Sequence, residues 1–347
     1  MTSKERVLCA INHEQPDRVP TDLLAVPEVW AQLFDWFDTR EMKTVLNKLD
    51  IDCAWVDPEV ERKPTARDKD GFIIGWGGSK LRTIHNAYGS YDEVVQYATA
   101  GCNTIEEMEM ALTLPDLDEY DFANITKACE DNSDRFLLGG FASVFYFPSL
   151  VRSMEDILFD MAENKDLVKY LIGRCFDWHI DYHKRLLDAG KNQIDAMQIA
   201  DDFCTQLAPM MSIDMFREFF RQPMSDYISL AKSYDAIPYL HCCGSAYYLI
   251  PEFIDLGIKI LDPVQTVAAN MEPSRLKAEF GSKLTFHGGG ETQNILPRGT
   301  TDDVRENAKM LSQTLGNRGG YILSSCHNWQ SDVPLENILA FYELENR

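Results

Sequence analysis

Residues 237–288, IPYLHCCGSAYYLIPEFIDLGIKILDPVQTVAANMEPSRLKAEFGSKLTFHG, decide the fold. Three short apolar runs, Ile237–Cys242, Ile258–Asp262 and Leu284–Gly288, are separated by two segments of helical periodicity, Tyr247–Leu256 and Pro273–Phe280. The runs are short and each is followed by a helix, the signature of a parallel sheet covered on both faces. The rhythm extends in both directions. Towards the N-terminus come strands at Phe136–Gly140 and Ile194–Ala200, with helices at Leu167–Ala189 and Ile213–Ser233. Towards the C-terminus come a helix at Asp302–Leu315, a strand at Tyr321–Ser325 and a helix at Leu335–Tyr342.

Residues 1–130 are less regular. Helical patterns cover Lys4–Asn12, Val29–Phe37 and Met42–Leu49, a strand is expected at Ile51–Val56, and Gly71–Ser79 reads as a hairpin or lid. Seven strands are visible, and an eighth is assigned to this N-terminal third. The expected fold is α/β, a (β/α)8 TIM barrel with N-terminal elaboration, rather than an open doubly wound sheet. No G-x-G-x-x-G follows an early strand, so the dinucleotide fingerprint is missing. A single domain is expected over 1–347, with elaboration and first strand in 1–130 and regular units in 131–347.

Composition narrows the function. About 45% of the 347 residues are hydrophobic and 25% charged, the balance of an ordinary globular enzyme. A net charge of −22 repels phosphate backbones and anionic lipid, so neither nucleic acid nor membrane is an expected partner. No long uncharged apolar stretch and no signal-like N-terminus is read, which points to a cytoplasmic protein. Nine cysteines without a C-x-x-C pair argue for reduced thiols rather than a disulfide framework or zinc ribbon.

Barrel enzymes carry their chemistry at the C-terminal ends of strands. Those positions hold Gly139-Gly140, Asp201-Asp202, His241 to Gly244, Pro263 to Gln265, His287 to Glu291 and Cys326-His327. His241 and Cys243 are two apart and share a strand face, and Gly244 permits a sharp turn. Cys326 ends the last strand, within reach across a closed mouth. A Cys2His set leaves zinc a fourth, open position, the arrangement of a catalytic site; simple packing or hydrogen bonding is the plainer reading. Glu291 is a candidate catalytic group, or else a helix cap. Asp201, Asp202, Gln265 and His287 are candidate substrate contacts, and Gly289 lies at the centre of a glycine turn able to accept an anion. His179 and His183, spaced i, i+4 without a neighbouring Glu, read as surface or interhelical residues. Trp55, Trp76 and Tyr88 read as core or lid residues, with a place in a substrate wall as the alternative.

The stretches "ADDFCTQLAPMMSIDMFREFF", "HCCGS", "LDPVQ", "FHGGGETQNILPRGTTDDV" and "VPLENI", with the opening "NHEQPDRVP", resemble the uroporphyrinogen decarboxylase superfamily. The resemblance covers most of the chain and is strongest from Asp195 to Glu343. It implies one of two activities: the decarboxylase of haem synthesis, or methyl transfer by the zinc enzymes that work with methylcorrinoid proteins. In that second branch zinc is held by His-x-Cys followed by Gly and by a distant Cys, positions that fall on His241, Cys243 and Cys326. The decarboxylase's arginine-rich R-Q-A-G-R motif has no counterpart after Pro20, where Thr21 to Pro27 are acidic or apolar. An octacarboxylate needs fixed guanidinium groups, so decarboxylation is disfavoured. The expected activity is zinc-dependent methyl transfer between a small methylated substrate, or a thiol or pterin acceptor, and a cobamide carried by a partner corrinoid protein. A non-catalytic binding member of the superfamily is the other alternative.

Overall fold

The computed structural model describes residues 1–60, 67–86 and 89–343. Seven parallel strands form one sheet: β1 (Cys53–Val56), β2 (Phe136–Ala142), β3 (Ala196–Ala200), β4 (Ile237–His241), β5 (Ile260–Asp262), β6 (Thr285–His287) and β7 (Tyr321–Ile322). Their order in space is their order in sequence. Every pairing is parallel, because a helical segment returns the chain to the same end each time.

Alternation along the strands divides the side chains between two apolar clusters. Leu137, Met197, Leu240 and Leu261 pack with the surrounding helices. Phe136, Leu138, Ala196, Tyr239 and Ile260 form a smaller cluster on the other face, joined by Val7 from helix Ser3–Ile11. His241 and Asp262 lie two residues beyond Tyr239 and Ile260, so they project from that same inner face at the strands' C-terminal ends. The register pairs Asp262 directly with His241.

The segment after Pro20 touches both edges of the sheet. Thr21 bridges in parallel to Leu323, and Asp22 N–H donates to Leu323 O at 3.0 Å. On the other side Asp52 N–H donates to Thr21 O at 2.9 Å. Beneath this junction Asp52 is fully buried and accepts from Arg6, Arg18 and Thr21 N.

Several expected bounds shift. The helix expected over Ile213–Ser233 is two, Ile213–Phe219 and Arg221–Ser233. Pro223 lacks an N–H and is tolerated only in a first turn, so the helix restarts just before it. The last strand ends at Ile322 rather than Ser325, which places Cys326 in the loop beyond β7, its N–H donating to Gly290 O at 2.8 Å. Gly71–Ser79 is the entry to a three-stranded antiparallel sheet, Ile73–Ile74, Lys80–Asn86 and Gly89–Gln96. Tyr88 lies outside the described residues. Helices Ile105–Ala111, Ala123–Asp131, Tyr146–Val151 and Met154–Glu163 were not foreseen. No described helix is long and apolar enough to cross a membrane.

Candidate metal centre

The ring of His241 is fixed from behind. Its Nδ1 lies 2.6 Å from Asp262 Oδ2, which leaves Nε2 facing the opening. Asp262 Oδ1 in turn meets His287 Nδ1 at 2.5 Å, and His287 Nε2 meets Asp22 Oδ2 at 3.1 Å. The four residues form a row of alternating acid and imidazole, three of them almost wholly buried. Burial would raise the carboxyl of Asp262, but His287 and His241 overcome it and hold the group well below the usual carboxylate range. Burial would lower His287, yet Asp262 and Asp22 lift it to about 10. Thus the inner imidazole carries the positive charge that its two acid neighbours require.

At the open end, His241 Nε2 lies 3.4 Å from Cys243 Sγ. Donor atoms of His241, Cys243 and His327 all fall within 4.8 Å of one another. Zinc bonds of roughly 2.0 Å to nitrogen and 2.3 Å to sulfur at a tetrahedral angle put those two atoms roughly 3.5 Å apart. The His–Cys pair therefore fits such an ion, and the carboxylate behind the imidazole is the usual support for a metal-binding histidine. Cys326 is buried beside the group and close enough for its charge to act on Cys243, but its sulfur is not one of the clustered three. Burial pushes both thiols well above their ordinary values, with Asp202 adding to the shift of Cys243 and Asp262 to that of Cys326. A divalent cation between them would reverse that preference.

The other candidates serve this centre in different ways. Asp202, half exposed, accepts from Cys243 N–H at 2.7 Å and lies 3.9 Å from His241 Nε2. Gln265 Oε1 accepts from Gly244 N–H at 2.7 Å and so braces the turn. That turn needs glycine: φ is +88°, and a Cβ would stand 2.5 Å from Thr205 O. Asp201 is buried and faces away, accepting from the Ser143 hydroxyl and from the N–H groups of Val144, Phe145 and Tyr146. Glu291 is a cap, its carboxylate accepting from the N–H groups of Gln293, Asn294 and Ile295. In the glycine turn the N–H groups of Gly288 and Gly290 bond Ile322 O and Ser324 O, while Gly289 packs on Leu311. His179 and His183 are buried among aromatic rings, where burial lowers both; neither is on the surface.

A cavity of about 520 Å³ opens beside the centre, reaching His241, Asp262, His287 and His327. Residues missed in the sequence also line it: Asp57, Phe141, Tyr146 and Tyr182. Asp57 directly follows β1, so the strand-end rule applied to that strand would have found it. Phe141 owes its position to a bulge. At Gly140 (φ +84°) the pairing of β2 with β3 slips, and Phe141 N–H turns to His183 Nε2 at 2.9 Å. A second hollow of about 600 Å³, lined by Trp30, Met42 and Leu46, lies beyond Trp55 and holds none of the clustered donors.

The uroporphyrinogen decarboxylase (URO-D) family model matches residues 101–347. Among solved structures, a methyltransferase from Methanosarcina mazei superposes with a TM-score of 0.67 at 18% identity, over 98% of this chain and 97% of that one. No curated protein sequence matches.

Proposed function

The chain belongs to the uroporphyrinogen decarboxylase family, and we propose that within it this is a zinc-dependent methyltransferase acting with a corrinoid protein. The observation that carries the reading is the convergence of His241, Cys243 and His327, with His241 held from behind by Asp262. The shared architecture with the Methanosarcina mazei methyltransferase supports it. In this reading the segment after Pro20 is the eighth stave of a closed (β/α)8 barrel, and the open end of that barrel receives the cobamide of the partner.

His241, Cys243 and Cys326 are assigned as the residues that would hold zinc, and His327, next to Cys326 on the same loop, as a further donor that would complete the set when no substrate is bound. Zinc bound there favours the deprotonated form of a substrate thiol, or polarises a methoxy or methylthio group, near neutral pH. The chain's own residues do the rest. Asp262 fixes the His241 tautomer, Asp202 and Gln265 hold the Cys243–Gly244 turn, and the Asp22–His287 pair keeps Asp262 ionised. Decarboxylation of a polycarboxylate finds no support in the cavity, since no Lys or Arg lines it among the described residues.

Metal analysis of the purified protein tests the assignment. About one zinc per chain is expected, lost in His241→Ala, Cys243→Ser and Cys326→Ser and retained more weakly in His327→Ala. Retention in Cys326→Ser with loss in His327→Ala reassigns the third ligand to the imidazole. A protein that takes up no zinc removes the proposal.

A further inference from the structure

The cavity beside the metal centre has a chemistry of its own. Among the described residues, its wall carries carboxylates and no Lys or Arg. Asp57 has no ion pair with any described residue. Its side chain is exposed at the cavity, and the protein packed around it pushes its carboxyl up to about 6 against a hydrogen bond from Gly140. A carboxylate in such a place lacks a countercharge. The same wall carries aromatic rings that a folded protein would ordinarily cover: Phe141 is 44% exposed and Tyr146 42%. Their centroids are 6.0 Å apart with planes at 90°, which makes an aromatic corner, and Tyr182 extends the wall. The bulge at Gly140 mounts both features, since the residue that contacts Asp57 immediately precedes Phe141.

Perpendicular ring faces beside an uncompensated carboxylate are the elements of an ammonium site: the faces attract a cation through their quadrupoles, and the carboxylate supplies the charge. An anionic acceptor bearing a sulfonate, phosphate or several carboxylates finds no guanidinium or ammonium partner on this wall. We propose that the cavity binds a small organic cation, a methylated amine or quaternary ammonium, with its head between Asp57 and the Phe141–Tyr146 corner. The inference rests on the proposed function in one respect: it makes this cation the head of the small substrate, whose thiol, methoxy or methylthio group is the part presented to the metal centre.

Calorimetric titration of the full-length protein with three probes of similar size tests it: choline, its neutral isostere 3,3-dimethylbutan-1-ol, and the anion 2-hydroxyethanesulfonate. Choline is expected to bind at least about tenfold more tightly than the isostere, with the sulfonate weakest; each tenfold step corresponds to about 1.4 kcal/mol. Asp57→Asn should weaken choline about tenfold, and Phe141→Leu several-fold, while leaving the isostere little changed. Equal binding of choline and the isostere, preference for the sulfonate, or no choline binding up to about 10 mM overturns the inference. Comparison of probes on the unmodified protein needs no variant to fold. Zinc is measured on the same samples. Failure of choline with zinc present defeats the cation site alone, and absence of zinc with choline still bound defeats the metal assignment alone.

Discussion

Asp262 is the residue on which the centre turns, because among the described residues it alone is hydrogen-bonded to both His241 and His287. Asp262→Asn removes a buried charge between two histidines, a change that typically costs about 3–5 kcal/mol. The pH dependence has a definite sign. Asp262, held low, contributes stability above about pH 4 and loses it as the solution acidifies. His287, lifted to about 10, contributes fully below about pH 6.5, and its contribution fades as pH rises towards 10. The gap between parent and variant in urea denaturation of chelator-treated protein is therefore expected to be widest between about pH 4 and 6.5 and to narrow by pH 10. A constant gap contradicts the pairing. Gly244→Ala is the second test at this scale: strain at positive φ and collision with the Thr205 carbonyl should cost about 2 kcal/mol and displace Cys243, read as lower melting temperature and lower zinc content. Sequence reasoning reached His241 and Cys243 because spacing of two on a strand fixes a common face. It treated Asp22 only as a departure from an arginine motif and named Asp262 only as the end of a strand, because their roles depend on pairing across β5 and β6 and the segment after Pro20, which spacing along one strand does not reveal.

Asp201 acts through an element, the turn that leads out of β2. Four donors from Ser143 to Tyr146 converge on its carboxylate, and this places Tyr146 at the cavity. Asp201→Ala leaves those donors without an acceptor, at a cost of about 3 kcal/mol local to the turn. Amide exchange of residues 144–146 should accelerate at least about tenfold with zinc content unchanged; unchanged exchange means the turn is held by packing instead. Elements differed in how openly the sequence declared them. β3, β4 and β5 announced themselves as short, mostly apolar runs flanked by helices, since both faces are covered. The hairpin of Lys80–Asn86 and Gly89–Gln96 did not, because it is largely exposed and has no apolar face to write a period of two. The segment after Pro20 was hidden for another reason: it pairs through isolated bridges too brief to leave a pattern.

The two ends of the sheet divide the labour of the whole molecule. The C-terminal ends gather His241, Cys243, His327 and the cavity, whereas the opposite end is locked by Asp52 between Arg6 and Arg18, with Thr21 N–H as a third donor. The "NHEQPDRVP" opening thus has a structural use, since Arg18 within it and Arg6 just before it anchor the N-terminal segment where it joins the two edges of the sheet. Asp52→Ala leaves Arg18 without a carboxylate and Arg6 with Asp17 alone, and should destabilise the protein by about 3 kcal/mol. Because the change lies at the far end from the donors, folded Asp52→Ala protein at low temperature is expected to bind zinc with the parent stoichiometry while melting several degrees earlier. Calorimetry with metal analysis on the same sample checks both halves. Loss of zinc from protein that remains folded would mean that the junction at Thr21 transmits its geometry through the neighbouring Asp22 to His287 and onward, and that the two ends of the sheet are one mechanical unit.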